Sequence, residues 1–510
     1  MSSQIIKSEI TFHNIVEESC SSVFGTFDIE IADASQLSVN QIHILFTVDT
    51  SSSMTDLCKD GVNKMSHIIN TLENILRIIN EHKKSTITIF IQTFDTVTRT
   101  IVTDSGNICA YTDEQLSELI VKIKECLIPD GSTNIESALK SAKKHVEEYK
   151  TVNECNEIIH LFLTDGDITC GSYDKIYLKT LVSSNCSNIF IGYGSNHDSI
   201  LLSDLASTNP RDMYRFIDVL ERAGIVYGEL THNILYKVFK DVRLKSTGCE
   251  IYNYIDNTWG IELYLGDLSS GQKKLVHLRR VEEIEEETRI QIIGKRWLKK
   301  YEEGEIVEEI ELENAAIDLE NGMGYADLTQ YIFRQRTQEI LFEAKKSLSK
   351  SNTLAEKNVL TKRLKVLQDE LVSYKTSLTD NEQILFVTHL CDDIYITRKA
   401  ITKPKNIANM YITTRQVSQG RQESYNCSDI DENQVLFGNT VFTKPVCLQR
   451  QQTASYSQAT DYGIDDYEEQ NIEDNNDESD NYVFSQNMLT PYTTLKMVDV
   501  MRSVSGNRNI

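Results

Sequence analysis

Residues 42–48 (IHILFTV) and 158–164 (IIHLFLT) are almost unbroken apolar runs rich in β-branched side chains. A strand with one face in water alternates between apolar and polar residues. A strand without alternation is buried on both faces, which a parallel sheet covered by helices provides. Residues 86–94 and 188–193 are runs of the same kind. Longer stretches with helical spacing lie between them. In 62–80, Met65, Ile68, Ile69, Leu72, Ile75, Leu76 and Ile79 follow the i, i+3, i+4, i+7 rhythm of one buried face. Leu116, Leu119, Ile120 and Ile123 repeat it within 114–127. Alternation of this kind over 42–240 predicts an α/β domain with a doubly wound, mostly parallel, Rossmann-like sheet. Residues 97–103 add an antiparallel edge strand.

The text changes near residue 242. VRLKSTGCEIYNYI, WGIELYLGDL, KKLVHLRRV, TRIQIIGKRW and EIVEEIEL are short, often alternating segments separated by Gly or charge clusters. They predict an adjoining β-sandwich over 242–315. Strand-like text in residues 1–40, such as VFGTFDIEIAD, supplies a further pair that can belong to the same sandwich. The doubly wound domain, 41–241, would then be inserted between its halves. Residues 325–400 are helical in pattern. Leu360, Leu364, Leu367, Leu371, Tyr374 and Leu378 form an apolar seam spaced 4, 3, 4, 3, 4. Two readings stand: a helical hairpin packed on its own domain, or a short coiled coil over 353–378 that makes a homo-oligomer. Residues 401–510 read as a mostly disordered acidic tail. Residues 461–480 hold ten Asp or Glu and no Lys or Arg, too little apolar surface to offset chain entropy. The end recovers amphipathic spacing through Leu495, Val498 and Met501, which reads as a docking peptide or a frayed tail.

Bulk properties exclude some partners. The formal net charge is −24. Nucleic acid and anionic membrane surfaces are bound chiefly through Lys and Arg, so neither is an expected partner. No apolar stretch approaches the ~20 residues of a membrane span. The opening MSSQIIKSEITFHN lacks a basic segment followed by an apolar core, so no secretory signal is recognised. Eleven scattered cysteines without zinc-type spacing suggest reduced thiols in the cytoplasm or another reducing compartment. The sparse Pro and Gly, with abundant Ile, Asn, Lys and Tyr, are what an AT-rich genome encodes, such as a protist's or a large DNA virus's.

The chemistry concentrates at five positions. Asp49, Ser51 and Ser53 lie in IHILFTVDTSSSMTD, Thr133 in PDGSTNIESAL and Asp165 in IIHLFLTDGDI. Asp49 and Asp165 each follow an apolar strand. Ligands of open parallel sheets bind beyond the carboxyl ends of the strands, so neighbouring strands would bring both carboxylates to one crevice. Ser51 and Ser53 alternate with Asp49 and can point the same way. Thr133 opens a helix after a flexible Asp130-Gly131-Ser132 loop. Carboxylate and hydroxyl oxygens are hard ligands that suit Mg²⁺ or Mn²⁺. The competing reading makes Asp49 and Asp165 turn and capping residues of a nucleotide-type sheet.

The order DxSxS, then DGST at a helix start, then LTDGD after a strand resembles the metal-ion-dependent adhesion site of the von Willebrand factor A family. FIGYGSNHDSILLSDLA and MYRFIDVLERAGIVYGELTHNILYKVFKDVRL resemble the end of the A domain in inter-alpha-trypsin inhibitor heavy chains and in related intracellular, Hint-associated proteins. WGIELYLGDLSSGQKK resembles the strands that follow it there. The likeness covers about residues 35–285. It implies that Ser51 and Ser53 bind the ion directly. Thr133 would bind it in a ligand-engaged form and otherwise through water, and Asp49 and Asp165 would act mostly through water. One coordination position would be left for an Asp or Glu of a partner protein. Residues 105–111, 168–173 and 195–198 are expected to form the partner-choosing rim, with Ser105, Tyr111, Ile168, Tyr173, Ser195 and Asp198 at their ends.

Other chemistries lack their residues. A dehalogenase-type phosphatase needs an acid two positions after Asp49, where Ser51 stands. There is no GxSxG elbow and no GxxxxGK loop. His160 reads as a core histidine with a hydrogen-bond partner, Trp259 and Trp297 as packing residues, and Asp167 as a solvated loop residue or a tuner of the outer shell. The expectation is a non-enzymatic, Mg²⁺-dependent protein-binding adaptor or scaffold. The alternative is an oligomeric assembly protein with a structural metal site.

Overall fold

The computed structural model describes residues 6–14, 22–33, 41–58, 60–83, 85–103, 105–153, 157–218, 223–281, 288–300, 304–313, 324–349, 354–423, 430, 482, 484 and 490–506, without the side chains of 281, 296–300, 304–313, 349 and 354. Strands β1 (Ile6–His13) and β2 (Ser22–Ile31) pair antiparallel. Next come β3 (Gln41–Asp49), β4 (Thr86–Phe94), β5 (Thr98–Val102), β6 (Glu157–Thr164), β7 (Ser187–Tyr193) and β8 (Met213–Ile217). They form one sheet in the order β5-β4-β3-β6-β7-β8. All pairings are parallel except that of the edge strand β5.

Six helices are interleaved: α1 (Lys64–Glu81), α2 (Asp113–Cys126), α3 (Ile135–Val152), α4 (Lys175–Thr180), α5 (Ser199–Leu205) and α6 (Gly224–Leu235). Their starts are written in the sequence. Asn63 caps α1 through Ser66 N–H, and Thr112 and Gln115 form a reciprocal capping box on α2. The pleat divides the buried residues between two faces. Ile44, Phe46, Ile89, Leu161 and Ile191 pack with α1, α2 and α6. Phe94, Phe162 and Phe190 pack with α3, α4 and α5. The continuous apolar runs are therefore covered twice, as parallel pairing requires.

The chain continues through β9 (Lys237–Thr247), β10 (Glu250–Asn253), β11 (Thr258–Gly260), β12 (Glu262–Ser269), β13 (Lys273–Val281), β14 (Arg289–Lys300), β15 (Gly304–Glu313) and β16 (Gly324–Ala326). Two sheets result, β11-β10-β13-β2-β1-β16 and β12-β9-β14-β15. Phe27, Ile29, Leu244, Ile251, Leu278 and Ile292 fill the space between them. The opening strands thus belong to the sandwich, and the doubly wound sheet is inserted between its parts. The sandwich begins at Lys237, slightly before the position expected. There Lys237 forms ion pairs with Glu157 of β6 and with Asp267 of β12.

Helices α7 (Thr329–Ser349), α8 (Leu354–Ser377), α9 (Asn381–Ala400) and α10 (Lys405–Arg421) pack beyond the α3–α5 layer. Leu360, Leu364, Leu367 and Leu371 are buried among residues of these helices, such as Leu390 and Ile394. The seam is thus closed within the chain, which takes away the surface that a coiled-coil oligomer over 353–378 needs. Residues 405–421, expected to open a disordered tail, are a buried helix. Its polar text misleads because those side chains find partners inside: Asn409 donates to Ser199 Oγ (3.1 Å) and Gln419 to Asp393 Oδ2 (2.7 Å). The acidic stretch 461–480 lies outside the described residues.

Residues 490–506 are packed on the doubly wound domain as well. Helix Leu495–Val504 lies on α6 and α1, and Asn74 donates to Val504 O (2.7 Å). Two glycines of α6 allow the approach. A Cβ at Gly228 would stand 2.4 Å from Met501 Cα, and one at Gly224 would stand 1.7 Å from Ser505 Oγ. Gly228→Ala should therefore push the two backbones apart and lower stability by about 1–3 kcal/mol. Urea unfolding of the full chain measures this, and an unchanged midpoint would refute the packing described.

Buried histidines add an acid sensitivity. His160 lies within hydrogen-bond distance of Thr47 Oγ1 (2.9 Å) and Asn188 Oδ1 (3.1 Å). Burial pushes its pKa down to about 4, against some opposition from the Asn188 hydrogen bond. The unfolded chain then binds the extra proton more readily than the fold does. The stability from the neutral ring is complete above about pH 6.5 and is lost as pH falls toward 4. His160→Gln should flatten the rise of the melting temperature between pH 4 and 6.5, an effect on the order of 3 kcal/mol. Parallel pH profiles for the two proteins would contradict it.

Candidate metal centre at the sheet switch point

Counted within the sheet, the strand order is 3-2-1-4-5-6, and the winding reverses between β3 and β6. Loops diverge to opposite faces at that point and leave a crevice at the carboxyl ends. Asp49 is the last residue of β3, and Asp165 follows the last residue of β6. Both are fully buried.

Every oxygen of these two carboxylates is engaged. Asp49 Oδ1 accepts Ser51 N–H (2.8 Å), and Oδ2 accepts the Thr164 hydroxyl (2.5 Å). Asp165 Oδ1 accepts the Ser53 hydroxyl (2.7 Å), and Oδ2 accepts the Lys64 ammonium (2.6 Å). Ser51 Oγ and Ser53 Oγ stand 3.1 Å apart. Burial, and next the Asp165 charge, push the Asp49 carboxyl up to about 7. Ser53 is half-buried and marks the open side.

Thr133 arrives on a separate loop that the backbone ties down. Ser52 N–H donates to Gly131 O (3.1 Å), Asp130 N–H to Thr50 O (2.7 Å) and Asn134 N–H to Asp95 O (2.9 Å). Gly131 has φ +74°, and a Cβ there would meet Thr96 Oγ1 at 2.7 Å, so the turn needs glycine. Thr133 closes on the other loop by receiving Thr169 N–H (3.1 Å) and donating its own N–H to Thr169 Oγ1 (2.7 Å). Its hydroxyl and that of Ser53 flank Gly166. A methyl at Gly166 would lie 3.4 Å from Thr133 Oγ1 and 3.6 Å from Ser53 Oγ. The glycine leaves a small cradle between hydroxyl groups.

The five oxygen-bearing side chains singled out in the sequence thus meet at one place. Two carboxylates and three hydroxyls suit a hard cation of Mg²⁺ or Mn²⁺ type. Carboxylate and hydroxyl oxygens without His or Cys are not the donor set of a zinc centre.

The rim is only partly as expected. Ile168, Tyr173, Ser195 and Asp198 lie in loops after β6 and β7, on the side of the site. Tyr173 is exposed, and Asp198 pairs with Lys175 (3.1 Å). Ser105 and Tyr111 do not belong there. Because β5 runs antiparallel, it returns the chain to the amino end of β4, where Ser105 Oγ receives Ile89 N–H (2.8 Å). Tyr111 O receives the Asn80 amide near the end of α1 (3.0 Å). Both residues sit at the opposite end of the sheet.

Lys64 is the site residue that sequence reasoning missed. It is buried and pairs with Asp165 and with Asp56 (3.0 Å). Burial opposes its charge, but the charges and hydrogen bonds of Asp165 and Asp56 outweigh that, and its pKa ends above the ordinary value. A signal did exist. Lys64 opens α1, where the helix dipole disfavours a cation, so a strong anionic partner was called for. Lys64→Met should leave Asp165 uncompensated and lower stability by roughly 3 kcal/mol. Chemical unfolding in the presence of chelator tests this, and a neutral effect would contradict the pairing.

No family model and no curated protein matches the chain. Solved structures do show likeness. The ArnB paralog VWA2 from Sulfolobus acidocaldarius is 16% identical, with 82% of this chain and 100% of that chain covered and a TM-score of 0.45. The von Willebrand factor type A protein from Catenulispora acidiphila is 12% identical, over 81% and 96%, with a TM-score of 0.44. The human COPII-coat protein Sec24c is 9% identical, over 77% and 60%, with a TM-score of 0.42. These likenesses concern fold. The strand order and the switch-point placement of the site, seen in the chain itself, make β3 through α6 a doubly wound α/β domain.

Proposed function

We propose that this chain is a non-catalytic protein-binding module, an adaptor or scaffold, that holds Mg²⁺ or Mn²⁺ at Asp49, Ser51, Ser53, Thr133 and Asp165. The partner is a protein that offers an Asp or Glu carboxylate to the bound ion. The supporting observation is the convergence of these five side chains, from three separate segments, at the crevice between β3 and β6. Ser51, Ser53 and Thr133 are neutral donors, so a cation held by them keeps much of its positive charge for an outside anion. The bound ion supplies electrostatic attraction. The protein's part is to fix the oxygens, through the loop hydrogen bonds already described, and to keep Asp49 and Asp165 out of water.

Ser51 and Ser53 share a hydrogen bond, and Ser53 donates to Asp165, so the hydroxyls are held as oxygen donors facing the crevice. No helix among the described residues is long and apolar enough to cross a membrane. The seven described cysteines are all free thiols, which supports a reducing compartment.

A second reading comes from Lys64. Its ammonium already neutralises Asp165, so the site can keep its shape with an internal cation alone. Calorimetric titration of the full chain with MgCl₂ and MnCl₂ separates the two. The adaptor reading expects saturable uptake that is lost in Asp49→Ala and weakened at least tenfold in Gly166→Ala, whose methyl enters the cradle while the fold holds. It also expects partner capture in Mg²⁺ to disappear in EDTA. Absence of metal uptake by the wild-type chain would leave only the internal-cation reading.

A further inference from the structure

A cavity of about 130 Å³ lies where the doubly wound domain, the sandwich and the C-terminal helices meet. One end is electrically matched: Lys237 sits between Glu157 and Asp267, and Arg211 forms a two-pronged pair with Asp241. The other end is not. There Arg215 of β8, Lys274 of β13, Arg334 of α7 and Arg421 of α10 approach one another from four elements. Arg215, Lys274 and Arg334 are buried, at 5%, 5% and 1% exposure. Among the described residues, three carboxylates face them. Glu423 pairs with Arg215, Glu229 lies 4.0 Å from the same guanidinium, and Asp28 of β2 feels the Arg334 charge. Four cations against three anions leave an excess of positive charge.

The remaining hydrogen bonds do not remove that excess. Lys274 donates to the carbonyl of Arg421, and Arg334 donates to the carbonyls of Leu275 (3.0 Å) and Gln419 (2.6 Å). Carbonyl oxygens satisfy donors without cancelling charge. Two donors are left over: Nε of Arg215 and Nε of Arg334 are buried without a partner. Such groups are strongly unfavourable unless something completes them. Like-charge crowding shows in Lys274 as well. Burial comes first and holds its pKa below the ordinary lysine value; Glu423 and Glu229 oppose that, while Arg421 and Arg215 add to it.

We propose that this end of the cavity binds a phosphate group. A phosphate supplies the negative charge that the excess of cations calls for, and its oxygens suit guanidinium N–H donors that point from different sides. The volume exceeds the ~10–15 Å³ that one water requires by roughly tenfold, which is enough for a phosphate with a small substituent. The site is remote in chemistry from the metal centre and does not depend on it.

The test uses the full chain in EDTA. Thermal unfolding and calorimetric titration are run with inorganic phosphate, against chloride at matched ionic strength. A ligand that binds only the folded state raises the melting temperature in a saturable way, and phosphate should do so where chloride does not. Lys274→Met should weaken phosphate binding at least tenfold. In chloride it should melt no lower than wild type, since it removes one of four crowded charges. Arg334→Gln should weaken binding similarly; if it does not fold, Lys274→Met decides alone. Glycerol 3-phosphate distinguishes the source: tighter binding than inorganic phosphate assigns a phosphomonoester, and weaker binding assigns the free ion. Equal responses to phosphate and chloride, or unchanged phosphate affinity in Lys274→Met, would overturn the proposal.

Discussion

The parallel pairing of β3 with β6 is the constraint on which the rest of the site depends. It sets Asp49 and Asp165 side by side at the point where the chain winding reverses. Two fully buried carboxylates in such proximity repel each other and lose their hydration. The structure answers with hydroxyls, backbone N–H groups and one ammonium, each aimed at a specific oxygen. Stability alone would be served better by apolar residues at these positions. The arrangement makes sense as a device that keeps oxygen ligands in place.

Much of this was legible in the sequence because the signals are local and physically unambiguous. Unbroken β-branched runs marked β3, β4, β6 and β7, and the helical spacing of 62–80 marked α1 to within a residue or two. The metal-type residues were readable because each occupies a strand tip or a helix start. What could not be read was set by tertiary pairing. Ser105 and Tyr111 lie in a loop like the others; only the reversed direction of β5 sends them to the far end of the sheet. Helix α10 is hidden by composition, since its buried face carries Asn409, Thr413, Arg415 and Gln416. Apolar periodicity cannot reveal a helix whose inner surface is polar and hydrogen-bonded. The last helix shows a subtler shift. Met497, Val500, Met501 and Val504 form its buried face, while Leu495 is 87% exposed, so the face is rotated by about 100° around the helix axis from where a reading based on Leu495 places it.

The same logic connects the metal centre to the cavity at the junction. Both are places where buried charge is not balanced by the chain alone, but with opposite sign. At the switch point, Asp49 and Asp165 face the single ammonium of Lys64. At the junction, Arg215, Lys274, Arg334 and Arg421 face Glu229, Glu423 and Asp28. Interiors tolerate such imbalances where a ligand of opposite charge completes them. A fold that needed only rigidity could have matched each charge internally, as it does for Lys237 with Glu157 and Asp267.

Charge counting also bears on what the metal centre can accept. With Asp49 and Asp165 ionised and Lys64 protonated, the buried set carries one net negative charge. A divalent cation held there would turn that to one net positive charge. A single partner carboxylate would bring the assembly to neutrality, and a second would overshoot. Lys64 therefore does more than hold Asp165. Under the proposed function, cancelling one carboxylate in advance would leave the bound state attractive for one anionic group and would keep the two aspartates from neutralising the ion by themselves. A centre without the lysine would hold such an ion more tightly and present less charge to a partner, so under the proposed function the position of Lys64 at the start of α1 would favour recognition over retention.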